Sequence, residues 1–154
     1  MDDCPLSKQK SWSVEVVMEE VQLKLSARHR VDGEWDETTH EYKGKLVQKA
    51  SAWYLTYKEQ LEDVGEVSTT LKLTDSAVTL VRQGVVSTRQ HFEKGASTHS
   101  TYQSPYGPFA METHTSKLRI RYAENAPVQV EIFYQTWMNE QYAGEHELKM
   151  ELGK

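Results

Sequence analysis

The sequence predicts an all-β protein, an antiparallel meander β-barrel of about eight or nine strands. Three observations carry that prediction. From residue 36 onward apolar and polar residues alternate with a period of two. The breaks between runs are made of turn chemistry, as in Asp32-Gly33 and Ser104-Pro105-Tyr106-Gly107, rather than of helix caps. No internal repeat or linker divides the 154 residues, a length that suits one domain around one core. Residues 1–154 are therefore expected to form a single barrel domain, with 1–11 a loosely ordered N-terminal tail.

Residues 12–25 allow two readings. Val14, Val17, Met18, Val21 and Leu25 fall at helical spacing. The same stretch also alternates as Trp12, Val14, Val16 and Met18, then, after a slip, as Val21, Leu23 and Leu25. Its β-branched content favours the second reading, a bulged strand. Further runs follow over about 36–48 and about 51–60, the latter rich in aromatics (Trp53, Tyr54, Tyr57), with a loop over 61–66 closing on Gly65. Val67, Thr69, Leu71 and Leu73 then share one face of a half-buried strand.

Residues 77–94 keep one phase throughout: Val78, Leu80, Arg82, Gly84, Val86, Thr88, Gln90 and Phe92 are all even. An unbroken phase across Gly84 predicts one long strand bent at the glycine rather than a turn. Glu93-Lys94-Gly95-Ala96 predicts the next hairpin, and Ser104-Pro105-Tyr106-Gly107 the one after. Beyond it the phase slips, from Phe109, Met111 and Thr113 to Leu118, Ile120 and Tyr122, which predicts a β-bulge near residues 115–117. Asn125-Ala126-Pro127 opens the last two runs, which carry Val130, Ile132 and Tyr134, then His146, Leu148, Met150 and Leu152.

Composition narrows the function classes. Apolar residues make up 38% and charged residues 27%, enough for one core under a solvated exterior. No run approaches the roughly 20 apolar residues of a membrane-spanning helix. Residues 1–8 have neither a basic region nor an apolar one, so no secretory signal is expected. Cys4 is the only cysteine, which excludes an internal disulfide and suits the cytoplasm. The net charge is −5 and the cations are scattered, which argues against nucleic acid as a partner. The densest basic spot, Lys117, Arg119 and Arg121, reads as the solvated face of a strand.

Catalytic signatures are missing. His29, His40, His91, His99, His114 and His146 lie on different runs without metal-ligand spacing, so no metal or other cofactor is expected. No nucleophile elbow or phosphate loop occurs, and the lone thiol sits in the tail. The informative feature is polar residues in phase with the core. Arg82, Thr88 and Gln90 share the parity of Val78, Leu80 and Phe92, and Glu59 shares that of Trp53, Leu55 and Tyr57. Such charges are costly inside unless paired or wet. Glu59 and Arg82 are expected either to pair as a stopper for one barrel end or to belong to a ligand pocket. In the pocket reading Arg82 holds an anion, Tyr57, Tyr102 and Phe92 form walls, and Gln90 and Glu59 take the ligand's donors.

The central runs resemble the YwiB-like proteins of Gram-positive bacteria. The resemblance is carried by Tyr54-Leu55-x-Tyr57-x-Glu59 and by Gly65-x-Val67-x-Thr69-Thr70-Leu71-Lys72-Leu73. It continues through Val78-Thr79-Leu80-x-Arg82-x-Gly84, Gln90-x-Phe92-x-x-Gly95, Tyr102-x-x-Pro105-x-Gly107 and Met111-x-Thr113. It implies a calycin-like, lipocalin-like barrel and no particular activity. The leading expectation is thus a non-enzymatic barrel that binds a small anionic or amphipathic ligand in its open end. The alternative is a filled barrel acting as a protein-interaction or regulatory scaffold, with an exposed aromatic tip at Tyr106 or an apolar edge suited to a homodimer.

Overall fold

A computed structural model describes residues 17–61 and 65–153. The predicted tail and residues 12–16 lie outside the described residues. Ten strands follow one another: β1 (Val17–Arg30), β2 (Asp36–Lys49), β3 (Ala52–Leu61), β4 (Gly65–Leu73), β5 (Ala77–Gly84), β6 (Thr88–Glu93), β7 (Ser97–Ser104), β8 (Gly107–Ala123), β9 (Ala126–Met138) and β10 (Gln141–Gly153). They form one antiparallel sheet in the order β6-β5-β4-β3-β2-β1-β10-β9-β8-β7. The two ends of that list are consecutive in the chain, so the sheet curls into a nearly closed meander barrel, as the sequence predicted. Among the described residues no helix is long and apolar enough to cross a membrane.

The alternation becomes an inside and an outside. Val67, Thr69, Leu71 and Leu73 of β4 are fully buried, while Glu66, Ser68 and Lys72 between them are exposed. On β1 the inward residues are Val21, Leu23 and Leu25. The β1–β2 register runs from Val17↔Gln48 to His29↔Asp36 without a break. The slip expected after Met18 therefore does not occur: Met18 faces out and is 62% exposed. The bulge expected in β8 is present, because Lys117 pairs with Phe133 and Thr115 with Tyr134, leaving Ser116 out. On the outer wall beside it Glu131 collects Lys117 at 3.2 Å and Lys149 at 3.6 Å, so the basic spot is a solvated ion-pair network.

One expectation fails outright. Residues 77–94 are not one bent strand but the hairpin β5–β6, with Val78 opposite Phe92, Leu80 opposite Gln90 and Arg82 opposite Thr88. Every pair in the hairpin joins residues of like parity, even with even and odd with odd. The inward face therefore keeps its parity through the turn, and hydrophobic phase is blind to such a hairpin. The chain bends at Val85 and Val86, and Gly84 leads into the bend at φ +147°, in a conformation that L side chains rarely adopt. This hidden hairpin supplies the tenth strand.

The barrel closes along a seam between β6 and β7. The Glu93–Ala96 turn forms, with Ala96 N donating to Glu93 O at 2.9 Å. Its arms then splay, and they meet again only at Ser87↔Gln103. In the splay the backbone of Thr115 on β8 exchanges hydrogen bonds with Gly95 and Ala96. Thr98 Oγ1 donates across the seam to His91 O at 2.8 Å.

The core is unevenly apolar. Leu23, Leu46, Leu55, Leu71, Leu73, Val78, Ile132 and Met150 pack into one cluster. Towards the seam the buried side chains are polar: Thr88, Gln90, Thr113, Thr115 and Thr136. Gln90 Nε2 donates to Thr113 Oγ1 at 2.9 Å. The hydroxyls of Thr88 and Thr115 are buried with no hydrogen-bond partner among the described residues. A buried hydroxyl left unsatisfied carries its full desolvation cost, so an isosteric methyl is better there. Thr115→Val is expected to stabilise the barrel by about 1 kcal/mol, read as a raised urea midpoint at unchanged slope. A loss of stability instead would mean that the hydroxyl is satisfied by a buried water.

Candidate functional site

The barrel interior opens at the end that holds the turns around Gly33, Val85 and Asn139. There the packed core gives way to a cavity of about 620 Å³. Leu25, Leu80, Phe92, Leu148 and Met150 form its apolar floor and sides. Tyr42, Tyr57, Glu59, Arg82, Gln90 and Tyr134 supply its polar groups, with Thr38, Thr39 and His40 of β2 towards the opening. A depression of similar size, about 600 Å³, lies on the outer wall over Gly44, among the outward side chains of Lys43, Lys45, Lys58 and Ser68. Its lining adds Glu20, Gln22 and Thr56 to the three lysines and lacks the Glu59–Arg82 pair, so the interior cavity is the candidate site.

Five of the six residues expected at a site, Tyr57, Glu59, Arg82, Gln90 and Phe92, line this one cavity. β3 delivers Tyr57 and Glu59, β5 delivers Arg82, and β6 delivers Gln90 and Phe92. Neighbouring strands bring them together because the ladder sets Thr69 opposite both Tyr57 and Arg82. Tyr102 does not line the cavity. It sits half-buried on β7 across the seam.

Arg82 and Glu59 form an ion pair, Nε to Oε2 at 3.1 Å. Thr69 Oγ1 donates to the same oxygen at 2.6 Å. The partners are unequally placed: the Glu59 side chain is 4% exposed and that of Arg82 is 28% exposed. Burial, the largest single influence, would lower the pKa of Arg82, but the Glu59 carboxylate first and the surrounding tyrosines after it together hold the guanidinium above its ordinary value. The pair occupies Nε, and no other hydrogen bond among the described residues engages Arg82. The end-on edge of the guanidinium, with both Nη groups, remains for another partner.

The tyrosines around the pair are held protonated. Burial first, and then the Glu59 charge, push the hydroxyls of Tyr57 and Tyr42 above the usual phenol value. Burial does the same to Tyr134. Their rings make two walls. Tyr42 and Tyr57 lie 5.2 Å apart. Opposite them runs a column that sequence reading did not assemble: Phe92 against Tyr134 at 4.8 Å, Tyr134 stacked on His146 at 4.7 Å, and His146 stacked on His29 at 4.7 Å. Burial and the neighbouring His29 lower the pKa of His146 to about 4, so it is neutral at physiological pH. Its Nε2 lies 2.8 Å from Thr136 Oγ1. The signal that could have found the column was parity, since Tyr134 and His146 are in phase with Ile132 and Leu148.

Among the described residues no three His, Cys, Asp or Glu side chains converge as metal ligands. The Tyr106 tip does not cover the barrel end: Tyr106 is 88% exposed on the Ser104–Gly107 turn. What the fold and the cavity define is a meander barrel, ten-stranded among the described residues, with a polar, aromatic-walled chamber at one end.

Residues 21–150 match the family described as a domain of unknown function (DUF1934), and the chain belongs to that family. It is similar to the uncharacterised β-barrel protein YwiB of Bacillus subtilis (strain 168), with 27% identity over 103 residues that span 66% of this chain and 72% of that relative. Its fold matches the crystal structure of the ywiB protein from Bacillus subtilis, with a TM-score of 0.72 and 24% identity over 89% of this chain and 94% of that one. The resemblance read from the central strands thus holds, and the shared barrel accounts for it.

Proposed function

We propose that this protein is a non-enzymatic, cytoplasmic binding barrel that holds one small amphipathic molecule in the open-end cavity, with the molecule's polar head at Arg82. One observation carries the reading. The cavity reaches a guanidinium that is oriented through Nε by a buried carboxylate and keeps its Nη edge uncommitted among the described residues. Chambers of this volume, largely apolar with a few convergent polar groups, are the usual form of small-molecule sites. The lone Cys4 agrees with a reducing compartment. Tyr106, exposed on a tight hairpin, is the feature that favours the alternative of a protein-interaction scaffold.

Native mass spectrometry of gently purified full-length protein tests the proposal. A retained small molecule is expected in the wild type and should be lost in Ala27→Phe, because Ala27 lines the cavity and a phenyl group there would project into the space the molecule needs. A clean ligand-free mass in both, together with a stable dimer, would favour the scaffold.

A further inference from the structure

The charge balance of the cavity restricts what its ligand can be. Among the described residues its lining contains one guanidinium, one carboxylate and the imidazole of His40. Those two charges are already in contact, and Glu59 also accepts from Thr69. The chamber is therefore close to electroneutral before anything enters. Its hydrogen-bonding capacity is lopsided nonetheless. The Nη groups of Arg82 and the hydroxyls of Tyr42, Tyr57 and Tyr134 are donors with no hydrogen bond among the described residues. On the acceptor side Oε2 of Glu59 is taken twice, which leaves its Oε1 and the amide oxygen of Gln90, whose nitrogen donates to Thr113, as fewer acceptors than there are donors.

We infer that the ligand's head is a single carboxylate on an apolar body, and that phosphate esters and cations are poor ligands. The inference rests on the cavity being a binding site. A monoanion satisfies the surplus donors and places its one charge against the open Nη edge of the guanidinium. A phosphate dianion would place a second charge within the barrel wall with no second guanidinium or ammonium among the described lining residues to meet it, and that desolvation is poorly rewarded. A cation would meet the Arg82 guanidinium, while the one carboxylate in the lining is already committed to it. Shape agrees with charge. The end-on fork of a guanidinium matches the two in-plane oxygens of a carboxylate. Leu25, Leu80, Phe92, Tyr134 and Leu148 leave an apolar, ring-lined space for the body.

Isothermal titration of the full-length protein at neutral pH with two matched sets of compounds decides the matter. One set is decanoate, decyl phosphate, decanol and decylammonium. The other is 2-naphthoate, 2-naphthyl phosphate, 2-naphthol and 2-naphthylmethylammonium. In at least one set the carboxylate is expected to bind one per chain, about tenfold or more tighter than its alcohol and its phosphate ester. Arg82→Lys keeps the positive charge for Glu59 but removes the fork, so it should weaken the carboxylate about tenfold and leave the alcohol unchanged. A phosphate ester or an ammonium that binds at least as tightly as the carboxylate overturns the inference. So does an alcohol that matches the carboxylate; if Ala27→Phe then removes both, the cavity remains a binding site and only the carboxylate assignment falls. Failure of all eight compounds to bind would remove both.

Discussion

Arg82→Met is expected to destabilise the barrel by about 3 kcal/mol at neutral pH, with the loss shrinking as the solution is acidified. The substitution orphans Glu59, whose side chain is only 4% exposed. Its remaining partner is the Thr69 hydroxyl. A stranded carboxylate in that position favours its neutral form, so the folded variant binds a proton more readily than the unfolded chain does. Protonation stabilises the folded variant below the ordinary carboxylate pKa of about 4.3, and that help disappears as the pH rises. The deficit against wild type is therefore largest at neutral pH and smaller near about pH 5. Glu59→Gln should cost less, because the Arg82 side chain it strands is 28% exposed and can take up water. Replacing both partners, Glu59→Leu with Arg82→Met, should recover most of the loss. Urea melts of the four proteins at the two pH values test this. A deficit independent of pH, or a double variant no better than Arg82→Met, would remove the buried charge as its cause.

The second large effect belongs to the hidden hairpin. Gly84→Ala is expected to cost about 2–3 kcal/mol. A Cβ at Gly84 would sit 2.6 Å from the backbone oxygen of Glu66 and 3.2 Å from Val67 Cα, and its φ is +147°. Neither neighbour can swing aside, since both belong to β4, whose backbone is paired on either side. Gly33 is the control. Its φ is also positive, at +77°, but a Cβ there meets nothing within 4 Å. Gly33→Ala should therefore show only the left-handed penalty, about 1 kcal/mol. Equal losses at the two glycines in chemical denaturation would mean that the approach to Glu66 contributes nothing.

The inner face was the most legible feature of the sequence, because a strand's period of two sorts side chains before any partner is known. Parity put Tyr57, Glu59, Arg82, Gln90 and Phe92 together, and the cavity contains all five. The same rule hid the β5–β6 turn, since a hairpin that pairs even residues with even ones leaves the phase untouched. Thr38, His40 and Tyr42 also face the cavity. They were missed because polar residues on an inward face look the same as polar residues on an outward one. Tyr102 was in phase but on the wrong side of the seam, and which strands meet across a barrel is a three-dimensional property. The His29–His146 stack shares that limit. Its two rings come from β1 and β10, directly paired in space and more than a hundred residues apart along the chain.

That last pairing also constrains how the molecule is made. The ladder from Arg30↔Glu145 to Gln22↔Gly153 joins the first described strand to the last, so it cannot form on the ribosome until β10 has emerged. Until then β1 is half of a wall, its inward Val21, Leu23 and Leu25 facing an unfinished chamber and its free edge open to other nascent chains. Acquisition of the fold is thus all-or-nothing with respect to translation. A product that stops short of Glu145 would have neither a sealed sheet nor a binding chamber, and should be recovered as aggregate or degraded rather than as a smaller barrel.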